Sequence, residues 1–106
     1  MTQAFVQSKI KAGKVAVFIK PSCPYCQSAM SILKKYAFKE GHLEFIDITT
    51  QNDMNAIQNY FQQTTGARTV PRVYIGEVCI GGYSDLAALE DQGKLSQELQ
   101  KIGALQ

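Results

Sequence analysis

The sequence has no tryptophan, one histidine, three prolines and only three cysteines in 106 residues. Each scarcity removes a class of protein. Structural zinc takes four nitrogen or sulfur ligands, and beyond the pair Cys23 and Cys26 only Cys79 and His42 remain to supply them. An odd cysteine count argues against the disulfide framework of a small secreted domain and favours a reducing compartment, the cytoplasm. Charge of one sign is missing too. Lys and Arg number 11 against 9 Asp and Glu, a net +2, and like charges form no long block, so no nucleic-acid partner is expected. No apolar run approaches the roughly 20 residues of a membrane helix. The stretch Met1 to Lys9 lacks the apolar segment of a signal peptide. No membrane partner is expected either. The length suits one domain over residues 1–106, and 45% apolar residues is ordinary for a globular chain.

What is present is concentrated at Lys20-Pro21-Ser22-Cys23-Pro24-Tyr25-Cys26. It follows the apolar run Val15 to Ile19 and precedes a helical pattern, so it reads as a strand-to-helix turn carrying two thiols at i and i+3. Residues so spaced are neighbours on a helix and meet the Cα separation of a disulfide, roughly 4.4–6.8 Å. Pro24 suits the first helical position, where its missing N–H costs nothing. Cys23 is then the N-cap, and its sulfur receives free backbone N–H groups. The helix dipole and nearby Lys20 also favour a thiolate there, which makes Cys23 the nucleophile. Cys26 points back under the turn and stays protonated until needed. A structural disulfide closing so short a loop would restrain the unfolded chain little. C-x-x-C beside a βα pattern reads instead as a redox motif.

Periodicity supplies the remaining elements. Residues 3–11 suggest a short amphipathic helix stopped near Gly13. Lys14 to Ile19 reads as a strand buried on both faces. A helix is expected from Pro24 to about Phe38, on a stripe including Cys26, Ala29, Met30 and Leu33. Leu43 to Ile48 is a second strand. Asn52 or Asp53 caps a helix ending near Gly66. Arg72 to Ile75 and Val78 to Ile80 form a hairpin about Gly76-Glu77, Gly standing first in the turn. Ser84 is expected to cap a helix reaching about Glu90, and Leu95, Leu99 and Ile102 form a last helical stripe before Gly103. The β-α-β start implies a parallel pair with a right-handed crossover, and the hairpin adds antiparallel strands.

Cys-Pro-Tyr-Cys, Thr69-Val70-Pro71, Gly81-Gly82-Tyr83-Ser84-Asp85 and the ending Lys101 to Gln106 occur in this order. On these motifs the chain resembles the glutaredoxins, of the dithiol type found in vertebrate cytosol, along essentially its whole length. The resemblance implies an α/β thioredoxin fold: a mixed four-stranded sheet flanked by helices, with an extra N-terminal helix. Statistics alone predict a trans bond before Pro71. The resemblance implies a cis one opposite the redox cysteine, with the backbone of Val70 facing Cys23 and pairing with the cysteinyl unit of glutathione. It implies that the start of the helix at Gly82 and Ser84 takes the γ-glutamyl carboxylate on free N–H groups, with Asp85 on the ammonium. Lys20, Gln58 and Arg68 match positions that hold the glycine carboxylate, and Tyr25 matches the aromatic beside the nucleophile, its ring also covering Cys26. Thr69 belongs to the same binding stretch. Some glutaredoxins carry a cysteine where this chain has Tyr83, which removes one candidate for regulatory oxidation. Cys79 reads as a buried apolar thiol, and no catalytic role is expected of His42.

The activity implied is glutathione-dependent thiol–disulfide exchange on glutathionylated proteins and protein disulfides. Glutathione is the cosubstrate, no cofactor or metal is tightly bound, and NADPH supplies electrons indirectly through glutathione reductase. A monomer is expected. Two alternatives stand beside it. A thioredoxin-type reductase typically has Trp before the first cysteine and Gly-Pro within the pair, and this chain has neither. In a cluster-binding module two chains would share an iron–sulfur cluster through Cys23 and glutathione. Against it, Pro24 stiffens the turn and Cys26 offers a competing disulfide.

Overall fold

The computed structural model describes residues 2–106. In order, the chain forms α1 (Thr2–Lys9), β1 (Val15–Ile19), α2 (Pro24–Leu33), β2 (Leu43–Asp47), a short 3-10 turn (Ile48–Thr50), α3 (Met54–Thr65), β3 (Arg72–Ile75), β4 (Val78–Gly81), α4 (Tyr83–Asp91) and α5 (Leu95–Lys101). The strands lie in the order β2-β1-β3-β4. β1 runs parallel to β2, with Val17 opposite Phe45, and antiparallel to β3, with Val17 opposite Val73. β3 and β4 are antiparallel, with a bulge at Val73/Tyr74. This is the thioredoxin fold.

The period of two along a strand sorts the core. Val15, Val17 and Ile19 of β1 face one way and pack with Cys26, Ala29 and Leu33 of α2, Leu86 of α4 and Leu95 and Leu99 of α5. Ala16 and Phe18 face the other way, against Val6 of α1 and Ile57 and Phe61 of α3. Phe18 meets the rings of Phe61 and Tyr74 edge-on at 5.1 and 5.9 Å. All five β1 residues are buried, as a strand covered by helices on both faces must be. A fully buried side chain such as Phe61 contributes about 1.5–3 kcal/mol.

Local signals set several ends. Asp53 Oδ1 accepts the Ala56 N–H at 2.9 Å and starts α3, and Gly66 closes it with φ +88°. Gly76 takes φ +63° in the hairpin turn. Elsewhere distant partners overrule the expected boundaries. α2 stops at Leu33 rather than near Phe38, because the chain beyond it pairs with the C-terminal tail. Phe38 bridges Leu105, Lys39 N donates to Ala104 O at 2.8 Å, and Gln106 N donates to Ala37 O at 2.9 Å. α1 ends at Lys9, short of Gly13. β2 ends at Asp47, whose carboxylate accepts the Thr49 N–H at 2.8 Å and turns Ile48 into the 3-10 segment. His42 Nδ1 sits 2.7 Å from Gly13 O and ties two loops together.

Candidate active site

Past the C-terminal end of the interior strand β1, Pro24 opens α2 and Cys23 adopts the extended N-cap conformation, φ −83° and ψ 117°. The Cys26 N–H donates to Cys23 Sγ at 3.2 Å, which satisfies a free donor of the helix start. Cys23 is half-buried and reachable; Cys26 is fully buried in the core cluster against β1. Burial pushes the Cys26 thiol up to about 12, helped by its hydrogen bond with Cys23 and by the charge of Cys23; Lys20 opposes through its backbone and its ammonium. The two thiols are therefore unequal, one presented and one held neutral.

Across the turn, the Val70–Pro71 peptide bond is cis. Cys23 Sγ lies 3.8 Å from Val70 O, with the thiol donating. A groove of about 620 Å³ runs from here to the start of α4. Thr69, Val70 and Pro71 line one part of it, and Gly82, Ser84 and Asp85 another, with Tyr25 on its wall. Ser84 does not cap α4. Gly82 is the N-cap, and the Asp85 carboxylate reaches back to accept the Gly82 N–H at 3.0 Å. Gly82 has no side chain to accept an N–H of the first turn, so only the reciprocal half of a capping box is made, by Asp85 at the third helical position. The N–H groups of Tyr83 and Ser84 open the helix and have no partner within it.

Three expected residues lie outside the lining of the groove. Gln58 is buried, and its amide donates to Arg68 O at 3.1 Å, bracing the segment that leads to Thr69. Arg68 is exposed, its guanidinium 3.4 Å from Asn59 Oδ1. Lys20 is half-buried at the motif itself and accepts the Cys23 N–H on its carbonyl at 3.1 Å.

Two expectations are corrected. The Tyr25 ring does not cover Cys26: it is 65% exposed and stacks on Tyr83, centroids 5.6 Å apart, while the core covers Cys26. Cys79 is half-buried rather than buried, because β4 is the sheet's edge strand, and burial still pushes its thiol up. Sequence reasoning missed two groove residues, Tyr83 and Arg72. Tyr83 lies within the motif Gly81-Gly82-Tyr83-Ser84-Asp85, which is the signal that points to it. Arg72 was visible as the one charge in Val70-Pro71-Arg72-Val73-Tyr74-Ile75. Among the described residues no group of three or more His, Cys, Asp or Glu is placed to hold a metal, and no helix is long and apolar enough to cross a membrane.

A thioredoxin fold with one presented and one buried thiol at a helix start defines a dithiol–disulfide oxidoreductase. Residues 15–80 match the family described as Glutaredoxin. The chain is 59% identical to Glutaredoxin-1 of Rattus norvegicus over 106 residues, covering 100% of this chain and 99% of that one. It is 59% identical to Glutaredoxin-1 of Homo sapiens over the full length of both. Among solved structures it superposes on a buckwheat glutaredoxin–glutathione complex with a TM-score of 0.90 at 30% identity, covering 100% of this chain and 94% of that one. The chain belongs to the glutaredoxin family, and its activity is glutathione-dependent thiol–disulfide exchange.

Proposed function

We propose that Cys23 thiolate attacks the glutathione sulfur of a protein–glutathione mixed disulfide. The protein leaves as a thiol, taking a proton, and Cys23 holds the glutathionyl group in a new disulfide. A second glutathione thiolate attacks that sulfur, releasing glutathione disulfide and restoring Cys23. On a protein disulfide, Cys26 instead attacks the mixed disulfide at Cys23 and expels the substrate thiolate. Two of the three influences that raise the Cys26 thiol come from Cys23. Both vanish once Cys23 is bonded to substrate, so Cys26 ionises more readily at the moment it must act.

In this reading the backbone of Val70, between Thr69 and Pro71, pairs with the cysteinyl unit of glutathione. The start of α4 at Gly82 and Ser84 takes the γ-glutamyl carboxylate, and Asp85 faces the ammonium. Lys20, Gln58 and Arg68 serve the glycine carboxylate, and Tyr25 flanks the peptide. The protein acts as a single-domain monomer in the cytoplasm, and glutathione reductase with NADPH regenerates its glutathione. The observation that carries the reading is the Cys26 N–H on Cys23 Sγ at 3.2 Å, beside a groove that ends on a helix start.

The test separates the two thiols on two substrates, a glutathionylated peptide and a disulfide-bonded protein. Cys23→Ser abolishes both activities, since a neutral hydroxyl cannot replace the thiolate. Cys26→Ser keeps or raises deglutathionylation, because the unproductive Cys23–Cys26 disulfide no longer forms. It loses reduction of the protein disulfide, where proximity gives Cys26 a high effective concentration. Loss of both activities in Cys26→Ser would favour a thioredoxin-type reductase.

A further inference from the structure

Arg72 opens β3, a strand otherwise apolar, and is only 6% exposed. A buried guanidinium ordinarily has a carboxylate partner, because an uncompensated charge in a low-dielectric interior is costly. Arg72 has none among the described residues, whose ion pairs join Lys9 and Lys14 to Glu44, Lys35 to Glu90 and Lys101 to Glu98. Its Nη1 donates to Thr65 Oγ1 at 3.2 Å, and its Nε is buried without an acceptor. Cys79 lies in the adjoining cavity, but burial pushes that thiol up and keeps it neutral, so it supplies no counter-charge.

The guanidinium has a defined place in the groove. A Cβ on Gly82 would lie 3.2 Å from Arg72 Nη2 and 3.3 Å from Pro71 O, so the cation sits directly behind the N-cap of α4. Arg72 lines the same groove as Ser84 and Tyr83. Asp85 does not neutralise it, since its carboxylate is turned to the Gly82 N–H. The helix start and the guanidinium thus favour negative charge at one end of the groove, the first through its free N–H groups and the second through an unspent full charge.

We propose that Arg72 is a specificity-determining residue for the γ-glutamyl α-carboxylate of glutathione, which supplies the counter-charge that the protein withholds from this guanidinium. The inference rests on the glutathione reading above. Bound peptide excludes water from the groove and strengthens the attraction. A planar guanidinium held beside Gly82 is not matched by the point charge of a lysine.

The test uses one peptide carrying, through a disulfide, glutathione, its 4-aminobutyryl analogue or its glycinamide. The 4-aminobutyryl analogue lacks only the α-carboxylate and keeps the amine. The glycinamide lacks only the glycine carboxylate. Wild type prefers glutathione to both in kcat/KM. Arg72→Gln shrinks the preference over the 4-aminobutyryl analogue by about tenfold, the low end for a charge-assisted hydrogen bond. Arg72→Lys keeps part of that preference. The preference over the glycinamide stays the same in all three proteins. An undiminished preference for the α-carboxylate in Arg72→Gln overturns the inference and leaves the glutathione reading standing. Equal shrinkage of both preferences also overturns it, as the mark of a merely structural role. A wild type indifferent to both carboxylates overturns the glutathione reading and the inference together. Should Arg72→Gln not fold, Cys26→Ser locked as the mixed disulfide gives the answer by NMR. The Arg72 Nε–H signal shifts and gains exchange protection with glutathione but not with the 4-aminobutyryl analogue. Equal signals overturn the proposal.

Discussion

Alkylation of the three thiols tests the central asymmetry of the site directly. Cys26 is fully buried, and its thiol is pushed from an ordinary 9.0 up to about 12, first by burial and then by Cys23. At pH 8 an ordinary thiol is about one-tenth ionised, whereas Cys26 is ionised in about one molecule in ten thousand. Because only the thiolate reacts, ionisation alone slows Cys26 about a thousandfold against an ordinary thiol. The lack of any exposed surface slows it further. Cys23 has the opposite circumstances, a reachable sulfur at a helix start with a backbone N–H at 3.2 Å. Iodoacetamide labelling followed by peptide mass spectrometry should therefore modify Cys23 first and half-buried Cys79 more slowly. Cys26 should stay unlabelled until the protein is denatured. The pH dependence has a definite sign. A thiol raised far above the assay pH gains about tenfold in thiolate per pH unit throughout the range 7–9, so the Cys26 rate climbs without levelling. In Cys23→Ser two of the three upward influences disappear and burial remains; Cys26 then labels faster than in wild type but still more slowly than a free thiol. Labelling of Cys26 within about tenfold of an ordinary free thiol at neutral pH would refute the reasoning, since the loss of ionisation alone exceeds that.

Arg68→Ala and Asp85→Ala should each lower kcat/KM for a glutathionylated peptide. A charge-assisted hydrogen bond is worth about 1.5–3 kcal/mol, and both side chains are exposed, so losses of about tenfold or less are expected; unchanged kinetics in both would remove these residues from the site. Gly76→Ala should destabilise the fold by about 1–3 kcal/mol in denaturant melts, because Gly76 has φ +63° and a Cβ there would lie 2.9 Å from Ala12 O; a wild-type midpoint would show that the turn does not need glycine.

The elements legible in the sequence are those whose causes lie within a few residues. Pro24 and Cys23 start α2 by local hydrogen bonding, as Asp53 starts α3, and Gly66 and Gly76 turn the chain because glycine accepts a positive φ without strain. The alternation Val15, Val17, Ile19 against Ala16, Phe18 already required a strand covered on both sides. The hydrogen bond of the Cys26 N–H to Cys23 Sγ was readable for the same reason, being set by one helical turn, whereas the burial that raises Cys26 comes from the core around it. What the sequence left open was decided by partners far along the chain. The end of α2 depends on pairing with the C-terminal tail, as at Gln106 Nε2 and Phe38 O, 68 residues apart. The place of Cys23 beside Val70 O spans 47 residues, and the stack of Tyr25 on Tyr83 joins two helices remote in sequence. Arg72 is the sharpest case. Its charge is plain in the sequence, but whether a cation finds water, a carboxylate or neither depends on every element folded around it. Periodicity and capping act through the bonds of a single turn or strand, while burial and electrostatic compensation are sums over the whole surrounding volume, and only the tertiary structure performs that sum.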